Sequence, residues 1–459
     1  MSATSGPRAA RYRPLAELPV DPDHGSVYEH GWQSWSPSSV LPATGSGYRA
    51  VRPDVQTMCY RPGRPGPAGG FQGEGVLAVD PGNGEPVRVY AARDGQVEVP
   101  SLRAELIDGR VVVSADDPDG VEELAVAGPL QAGLVAWADG FAARAGVGPL
   151  RSAPTAWCSW YHYFTGVTEA DVLENLDAIG ASELPVDVVQ IDDGWQAEIG
   201  DWLTLSGRFV SLADLVGRVR DAGRRAGLWI APFLAGARSR LASDHQDWLV
   251  AGADAGHNWD QDLFALDLTH PGAAAYLRRV LETLSGLGFD YFKLDFLYAG
   301  ALEGPRRRDL PATAAYREGL ALIREVVGPR AYLLGCGAPI LPTVGLVDAM
   351  RVSADVAPGF EPEAGDMSRP SQRAATLTVV GRAWQHGRFW VNDPDCLIVR
   401  PAVERREEWA RTVERYGGLR ASSDRIADLD QWGLETTRRL LASPPPPTPF
   451  DPTPAPLLS

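Results

Sequence analysis

The stretch DYFKLDF (residues 290–296) is a short, largely apolar run that carries an aspartate, Asp295, near its carboxyl end. Two further stretches share this pattern: VDVVQIDDGW (186–195), with Asp192 and Asp193, and DAMRVSAD (348–355), with Asp355. Charged side chains at the ends of buried strands are costly unless they serve a site. In a parallel α/β barrel the carboxyl ends of all strands lie on one face, where ligands bind. The three stretches therefore predict such a barrel with an acidic site on that face.

The rest of the chain supports a barrel, because from Ala153 onward strand-like runs alternate with amphipathic helical patterns. Eight strands are predicted, at 155–161, 186–192, 227–233, 290–296, 331–336, 348–355, 388–393 and 418–424. Few residues separate the fifth strand from the sixth, so that crossover holds at most a short helix. A long segment follows the third strand, and we expect it to overhang the active face.

The predicted fold class is α/β: a (β/α)8 barrel with a short N-terminal all-β domain and a disordered Pro-rich tail. Short alternating runs, broken by turn residues at hairpin spacing, predict a β-sandwich-like domain over 1–130. A helical linker is predicted over 131–152 and the catalytic barrel over 153–442. The tail, SPPPPTPFDPTPAPLLS (443–459), is predicted to be extended or disordered.

Composition narrows the class of partner. The 459 residues contain 43 Lys+Arg against 59 Asp+Glu, and the net charge of −16 disfavours nucleic acid and anionic membranes. The N-terminus has no apolar run typical of a signal peptide, and no stretch approaches the roughly 20 apolar residues of a membrane span. A cytoplasmic location is the simplest expectation. The cysteines are far apart and indicate neither a disulfide framework nor a zinc site: Cys59, Cys158, Cys336 and Cys396.

The fourth strand offers a candidate nucleophile. Side chains alternate faces along a strand, so Tyr291, Lys293 and Asp295 share one face, which we expect to point toward the barrel axis. A lysine two residues away favours the ionised carboxylate, which is the form that attacks a sugar C1. The alternative is a buried Lys293–Asp295 ion pair that only stabilises the barrel.

The sixth strand offers a candidate general acid. Arg351, Ser353 and Asp355 share a face, and Asp355 lies at the tip, before the apolar residues 356–358. Partial desolvation there predicts a raised pKa for Asp355, which suits a group that must carry a proton at neutral pH. Two carboxylates across a sugar bond are the usual machinery of glycoside hydrolysis. The alternative is an aspartate that caps the following loop.

The pair Asp192–Asp193 admits two readings, a clamp on sugar hydroxyls and a metal site. Asn392, Asp393 and Asp395 in VNDPDCL raise the same question, although an Asx-type turn explains them equally well. Neither cluster has the ligand count or glycine spacing of a calcium loop, which favours the non-metal readings. No GxSxG, P-loop or dinucleotide motif occurs in strand–helix context, which argues against acyl, phosphoryl or hydride transfer.

Tryptophan is abundant, with 14 residues, and indole rings are flat apolar surfaces on which a sugar can pack. Five fall in or just after predicted barrel strands: Trp157, Trp160, Trp195, Trp229 and Trp390. Strand alternation favours Trp157 and Trp229 for the inner face, while several of the others are expected to be core residues. Trp32 and Trp35, in EHGWQSWSP, are predicted to line the contact between the domains.

The motifs taken together resemble the melibiase-type α-galactosidases, the retaining glycoside hydrolase family 36. The resemblance covers most of residues 30–425. It rests on the order and spacing of EHGWQSWSP, WCSW, QIDDGW, GLWIAPF, LDLTHP, FKLDF, CGAP and NDPDCL.

The resemblance implies a retaining exo-α-galactosidase that acts on α-galactoside oligosaccharides and needs neither a cofactor nor a metal. It implies that Asp295 is the nucleophile, Asp355 the acid/base, and Asp192 and Asp193 ligands of sugar hydroxyls. It further implies a set of residues that complete the glycone pocket: Lys293, Arg351, Trp229, Cys336 and one of Trp157 or Trp160.

The sequence also departs from the family. Typical members have Lys-Trp-Asp followed by Met-Asn, whereas here Lys293-Leu294-Asp295 is followed by Phe296-Leu297. This difference near sugar C2 keeps α-N-acetylgalactosaminidase and raffinose-synthase-like galactosyl transfer as alternatives, and a non-catalytic sugar-binding protein is a third. The sequence predicts an N-terminal β domain shorter than the usual sandwich of the family, and it predicts no β domain after the barrel. Family members often oligomerise through those parts, so a homo-oligomer is left open.

Overall fold

The computed structural model describes residues 11–50 and 56–443. Apart from Ser443, the predicted Pro-rich tail lies outside the described residues. The N-terminal part contains these strands and one short helix: β1 (Arg13–Pro19), β2 (Ser26–Glu29), β3 (Ser39–Pro42), α1 (Gln56–Cys59), β4 (Phe71–Glu74), β5 (Val76–Asp80), β6 (Val87–Ala92), β7 (Ser101–Ile107), β8 (Arg110–Ala115) and β9 (Val121–Val126).

These strands form two antiparallel sheets with the orders β1-β8-β7-β4 and β3-β2-β5-β6-β9. Strand β8 alternates between exposed and buried positions, as expected of a strand with one face in a core. Its buried Val111 and Val113 belong to one apolar cluster with Leu77 and Val79 of the other sheet. The sheets therefore pack face to face, which confirms the predicted N-terminal β domain.

Helix α2 (Leu130–Arg144) joins this domain to the rest of the chain. The ring of Trp137 stacks on that of Phe141, with 5.0 Å between centroids, and Phe141 meets Phe389 edge to face at 5.6 Å. Gly133 of α2 lies against Val87 and Val89 of β6, so the helix packs on the sandwich as well as on the second domain.

The second domain is built on an eight-stranded parallel sheet. In chain order its strands are β10 (Ala156–Cys158), β11 (Val188–Ile191), β12 (Arg225–Ile230), β16 (Phe289–Leu294), β17 (Tyr332–Gly335), β18 (Ala349–Arg351), β19 (Val391–Asp393) and β20 (Ala421–Ser422). Strand β20 pairs with β10, and a parallel bridge from Leu397 to Ser422 links the β19 and β20 ends of the sheet. The predicted (β/α)8 barrel is confirmed, with all eight predicted strands in their predicted order.

Helices surround the sheet: α3 (Trp160–Tyr163), α4 (Glu169–Ala181), α5 (Leu212–Asp221), α6 (Arg240–Asp244), α7 (Pro271–Leu287), α8 (Ala312–Val327), α9 (Ile340–Thr343), α10 (Gln372–Gly381), α11 (Arg406–Tyr416) and α12 (Gln431–Ala442). Local sequence sets their ends. Helix α4 starts with a capping box between Thr168 and Asp171. Helix α7 begins at Pro271, and the residue that caps its carboxyl end is Gly288, whose φ is 110°. The crossover from β17 to β18 holds only the short α9, as predicted. None of the helices within the described residues combines the length and the apolar composition that a bilayer crossing requires.

The inward and outward faces of β16 follow the predicted alternation. Phe292 and Leu294 belong to one apolar cluster with Leu320 and Ile323 of α8, whereas Tyr291 belongs to a second cluster with Val188 and Tyr332 of other barrel strands. The ring of Tyr291 stacks on that of Tyr332, with 5.7 Å between centroids. Lys293 and Asp295 continue the inward row toward the carboxyl end of the strand, where both side chains reach a cavity.

The long segment after β12 forms a small antiparallel sheet of its own. Its strands are β13 (Leu234–Gly236), β14 (His257–Asn258) and β15 (Gln261–Ala265), in the order β13-β15-β14. The tip of the β14–β15 hairpin lines the same cavity. The insertion thus overhangs the active face, as expected.

Candidate active site

A cavity of ≈ 740 Å³ opens at the carboxyl ends of the barrel strands. Its wall combines acidic, basic and aromatic side chains from the barrel loops, the insertion and the N-terminal domain. The lining residues are Trp35, Met58, Cys59, Trp160, Phe164, Thr165, Asp192, Asp193, Trp229, His257, Asn258, Trp259, Asp260, Lys293, Asp295, Phe296, Ala354, Asp355, Ser368, Arg369 and Pro370.

Asp295 lies directly after β16, and both of its carboxylate oxygens accept a hydrogen bond. Trp229 Nε1 donates to Asp295 Oδ2 at 2.9 Å, and the backbone N–H of Phe296 donates to Oδ1 at 2.8 Å. Lys293 Nζ lies 3.7 Å from Oδ2. These contacts fix the direction of the carboxylate. The buried Lys293–Asp295 pair considered as an alternative therefore exists, but it faces the cavity.

Lys293 also links Asp295 to the pair of aspartates after β11. Its Nζ lies 2.9 Å from Asp192 Oδ2, which also accepts a 2.6 Å hydrogen bond from Gln190 Nε2. Burial disfavours the ammonium, but Asp192 and Asp295 outweigh it and hold the pKa of Lys293 well above its ordinary value. Lys293 is therefore a fixed positive charge between two carboxylates.

Asp193, the second of the two neighbouring aspartates, accepts hydrogen bonds from two uncharged side chains. Gln196 Nε2 donates to its Oδ1 at 2.6 Å, and Trp259 Nε1, from the β14–β15 hairpin, donates to Oδ2 at 2.7 Å. Burial raises the pKa of Asp193 to about 6 in spite of these two hydrogen bonds, and the charges of Asp192 and Asp295 act in the same direction as burial. Each oxygen keeps lone pairs for further donors such as sugar hydroxyls.

Asp355, four residues beyond Arg351, does not have the apolar surroundings that the sequence suggested. Arg351 Nη2 lies 2.5 Å from Asp355 Oδ1, and the Asp355 side chain is 33% exposed. The buried guanidinium of Arg351 also pairs with Asp395, at 2.9 Å between Nη1 and Oδ2. Burial opposes its charge, but the carboxylates of Asp395 and Asp355 act against burial, and the pKa of Arg351 lies above its ordinary value.

Three predicted pocket residues lie outside the cavity wall. Trp157 packs with the helices, and its Nε1 donates to the Asp424 carbonyl at 2.9 Å, so its predicted inward direction is wrong. The neighbours of Trp157 on β10, Ala156 and Cys158, face the interior instead, and Trp160 lines the cavity. Arg351 lies behind the wall, and its Nη2 pairs with Asp355, which lines the cavity.

Cys336 is the third of these residues. It is fully buried beyond β17, and its backbone N–H donates to the Leu294 carbonyl at 2.8 Å. Burial raises the pKa of the Cys336 thiol well above its ordinary value, so it remains a thiol.

The sequence reasoning missed several lining residues. Trp259 and Asp260 form the tip of a hairpin in which both have left-handed φ values, 50° and 53°. No Asn-Gly or Asp-Gly pair marks that turn, so only the length of the insertion pointed to it. Trp35, predicted at the domain contact, reaches the cavity and meets the ring of Phe296 edge to face at 4.9 Å.

No group of three or more His, Cys, Asp or Glu side chains within 11–50 and 56–443 is arranged to hold a metal ion. The carboxylate of Asp395 instead pairs with Arg351 and accepts hydrogen bonds from the backbone N–H groups of Val356 and Cys396.

Comparisons with known proteins place these residues in a family. The melibiase family model matches residues 153–322. An α-galactosidase from Thermus thermophilus, solved in complex with stachyose, is 30% identical, with a TM-score of 0.77 and coverage of 95% of this chain and 96% of that chain. The chain belongs to the melibiase-type α-galactosidase family.

Two curated relatives of this family match shorter segments. The bifunctional α-galactosidase/sucrose kinase AgaSK of Mediterraneibacter gnavus is 34% identical over 103 residues, which are 20% of this chain and 10% of that protein. The α-galactosidase of Escherichia coli is 29% identical over 157 residues, 32% of this chain and 22% of that enzyme. The matched segments thus span less than a quarter of either relative. These relatives and the structural neighbour are glycoside hydrolases.

Proposed function

We propose that this chain is a retaining exo-α-galactosidase that removes terminal α-D-galactosyl residues from oligosaccharides. The observation that carries the proposal is that Asp295 and Asp355, from the ends of β16 and β18, line one cavity together with Asp192 and Asp193. Paired carboxylates in a sugar-sized cavity are the requirement for glycoside hydrolysis. The Thermus thermophilus neighbour has been solved with p-nitrophenyl α-D-galactopyranoside and with stachyose, which supports this substrate class.

In the first step Asp295 attacks the anomeric carbon of the galactosyl unit. The bond from C1 to the leaving oxygen breaks, and Asp355 gives its proton to that oxygen. The product of this step is an ester between C1 and the Asp295 carboxylate. The donors on Asp295 hold its carboxylate in place before attack, which lowers the cost of reaching the reactive geometry.

In the second step Asp355 removes a proton from a water molecule, whose oxygen then attacks C1. The ester bond to Asp295 breaks and free galactose leaves with its original anomeric configuration. This double displacement predicts that the Asp295 and Asp355 carboxyl groups lie roughly 5–5.5 Å apart.

Asp192 and Asp193 would accept hydrogen bonds from hydroxyls of the galactosyl unit away from C1. Both are buried, and Lys293 balances the charge of Asp192 at 2.9 Å. Trp229 and Trp259 meet at 6.4 Å between ring centroids and supply flat apolar surface at the same end of the cavity. A monosaccharide with clustered hydroxyls and one apolar face suits such a wall.

The first prediction concerns the nucleophile. Asp295→Asn should lower kcat on p-nitrophenyl α-D-galactopyranoside by at least ~10³-fold, because the amide cannot form the ester. Thermal unfolding should confirm that the variant folds. NMR of the wild-type reaction should show the α-anomer of galactose first. A β-anomer appearing first, or full activity in the variant, would contradict the mechanism.

The same assays separate the alternatives. Faster turnover of the 2-acetamido analogue would indicate an α-N-acetylgalactosaminidase, and galactosyl transfer to sucrose in place of hydrolysis would indicate a synthase. Galactose binding in calorimetry without turnover of any α-galactoside would indicate a sugar-binding protein.

A further inference from the structure

A buried carboxylate outside the cavity wall, Asp395, is tied to the candidate acid/base. It follows β19 in the sequence Asp393-Pro394-Asp395 and is 2% exposed. Its φ of 93° is one that a residue with a side chain rarely adopts. Backbone strain of this kind is retained where the surrounding contacts over-determine the conformation, often at functional sites.

The contacts of Asp395 converge on one oxygen. Arg351 Nη1 lies 2.9 Å from Oδ2, the Tyr161 hydroxyl donates to the same atom, and the backbone N–H of Val356 donates to it at 2.8 Å. The other oxygen accepts from the backbone N–H of Cys396 at 2.7 Å. Burial raises the pKa of Asp395, while Arg351 acts in the opposite direction.

Two of these contacts lead directly to Asp355. Arg351 is the side chain that pairs with Asp355, at 2.5 Å between Nη2 and Oδ1. Val356 is the residue that follows Asp355 in the chain. Asp395 is therefore connected to Asp355 in two ways. It pairs with the guanidinium that contacts the Asp355 carboxyl group, and it accepts a hydrogen bond from the backbone of Val356, the residue next to Asp355.

We propose that Asp395 is a positioning residue for Asp355, and that it balances the charge of Arg351 so that Asp355 can carry the proton it donates. The inference rests on the proposed function. An arginine with Asp355 as its sole counter-ion would favour the ionised form of Asp355 and oppose its role as an acid. A second carboxylate on the same guanidinium weakens that bias, because its negative charge opposes the field of Arg351 at Asp355.

The groups that surround the Arg351–Asp395 pair come from four elements or their adjoining loops. They are Tyr161, Cys336, Asp355, Asp393 and Cys396. Of these, Asp393 titrates near neutrality, because burial and Asp395 raise its pKa to about 7. A pH profile of an Asp395 variant alone would therefore mix in the titration of Asp393. The test needs a quantity that depends specifically on proton donation to the leaving group.

The isosteric change Asp395→Asn provides that readout through its dependence on the leaving group. On raffinose, whose leaving group is a sugar hydroxyl, kcat/KM should fall about 10²-fold, the scale of general acid catalysis. On p-nitrophenyl α-D-galactopyranoside, whose leaving group needs little protonation, the fall should stay below about fivefold. The alkaline fall-off of kcat/KM on raffinose should also move to lower pH, because Asp395 then no longer opposes the positive charge of Arg351. Equal losses on the two substrates, or no loss, would overturn the proposal.

Asp424→Asn is the matched control. Asp424 is also buried, pairs with Arg400 at 2.7 Å, and contacts neither Arg351 nor Asp355. Its replacement should lower the unfolding temperature without changing the ratio of kcat/KM on the two substrates. A change in that ratio as large as for Asp395→Asn would show that any buried barrel carboxylate has this effect, and would overturn the proposal.

Tyr161→Phe is a second variant in case Asp395→Asn does not fold. It removes one donor to Asp395 Oδ2 and keeps the ring in place, so it should lower the raffinose rate more than the aryl rate, by a smaller factor. Equal losses in this variant would also count against the proposal. Wild-type turnover of both substrates tests the proposed function separately: if the wild type hydrolyses neither, that function fails, whereas equal losses in an otherwise active enzyme refute only the role of Asp395.

Discussion

At the residue scale, the chemistry of the cavity depends on how each carboxylate is paired. Asp295 has donors on both oxygens, Asp192 has a lysine, and Asp355 has an arginine. Asp193 accepts hydrogen bonds from two neutral donors, Gln196 and Trp259, and burial raises its pKa to about 6. Asp193 therefore changes its protonation near pH 6.

The pKa of Asp193 leads to a prediction about binding. Below pH 6 Asp193 is protonated and accepts fewer hydrogen bonds, so the Kd for galactose should rise as the pH falls through 6, by about tenfold. Above pH 6 the carboxylate is ionised and the Kd should level off. Calorimetric titration from pH 5 to pH 8 measures this, with Asp193→Asn as the control in which that part of the pH dependence disappears. A Kd that is constant across this range in the wild type would contradict it.

At the element scale, the loop after β11 carries both aspartates and turns sharply at Gly194. The φ of Gly194 is 122°, and a Cβ atom there would lie 2.7 Å from the Thr165 carbonyl oxygen. Such a φ strains any residue with a side chain, and the contact is with backbone, which moves little. The turn therefore depends on glycine.

This geometry predicts the effect of Gly194→Ala. The variant should lose about 1–3 kcal/mol of unfolding free energy, and its KM should rise because Asp192 and Asp193 shift. The matched control is Gly217→Ala, within α5, where a Cβ meets nothing within 4 Å. That change should leave KM alone and stabilise the protein by about 0.5–1 kcal/mol, the usual helix preference for alanine. Denaturant unfolding and steady-state kinetics measure both quantities, and equal stability in the two variants would contradict the argument.

At the scale of the whole molecule, the N-terminal domain is part of the cavity. The loop that holds Trp32 and Trp35 is hydrogen-bonded to the segment after β17, through Ser34 N–H to the Ala338 carbonyl at 2.9 Å and Ile340 N–H to the Trp32 carbonyl at 3.0 Å. Beside it lies Arg382, fully buried, which donates to the carbonyls of four residues: Gly31, Gln33, Ser34 and Val352. Arg382 thus fastens the loop that carries Trp35 to the barrel.

Removing this guanidinium should affect stability and the cavity together. Arg382→Met should cost about 3 kcal/mol, because several buried carbonyl groups lose their donor, and it should lower kcat/KM as Trp35 loses its fixed place. Chemical denaturation and kinetics on p-nitrophenyl α-D-galactopyranoside measure the two effects. The control is Arg388→Ala, which breaks the partly exposed 2.8 Å pair with Asp139 of α2 and should cost at most about 1 kcal/mol. The prediction fails if the two variants are equally stable.

The sequence by itself determined the barrel and the acidic face. Periodicity of two in the strands and of 3.6 in the helices is a local property, so the eight βα units and the inward row of Lys293 and Asp295 could be derived without coordinates. The same local logic failed at Trp157. Strand β10 spans only Ala156–Cys158, and nothing within so short a run indicates which face its central residue takes.

Only the tertiary structure decided which distant side chains meet at the cavity. Trp35, Trp259 and Asp395 lie far apart in the chain, and each acts through a contact with a residue on another element: Phe296, Asp193 and Arg351. It also decided the surroundings of Asp355, where local apolar neighbours suggested desolvation but a buried arginine occupies the site. The physical reason is that electrostatic pairing depends on distance in space, whereas sequence patterns record only distance along the chain.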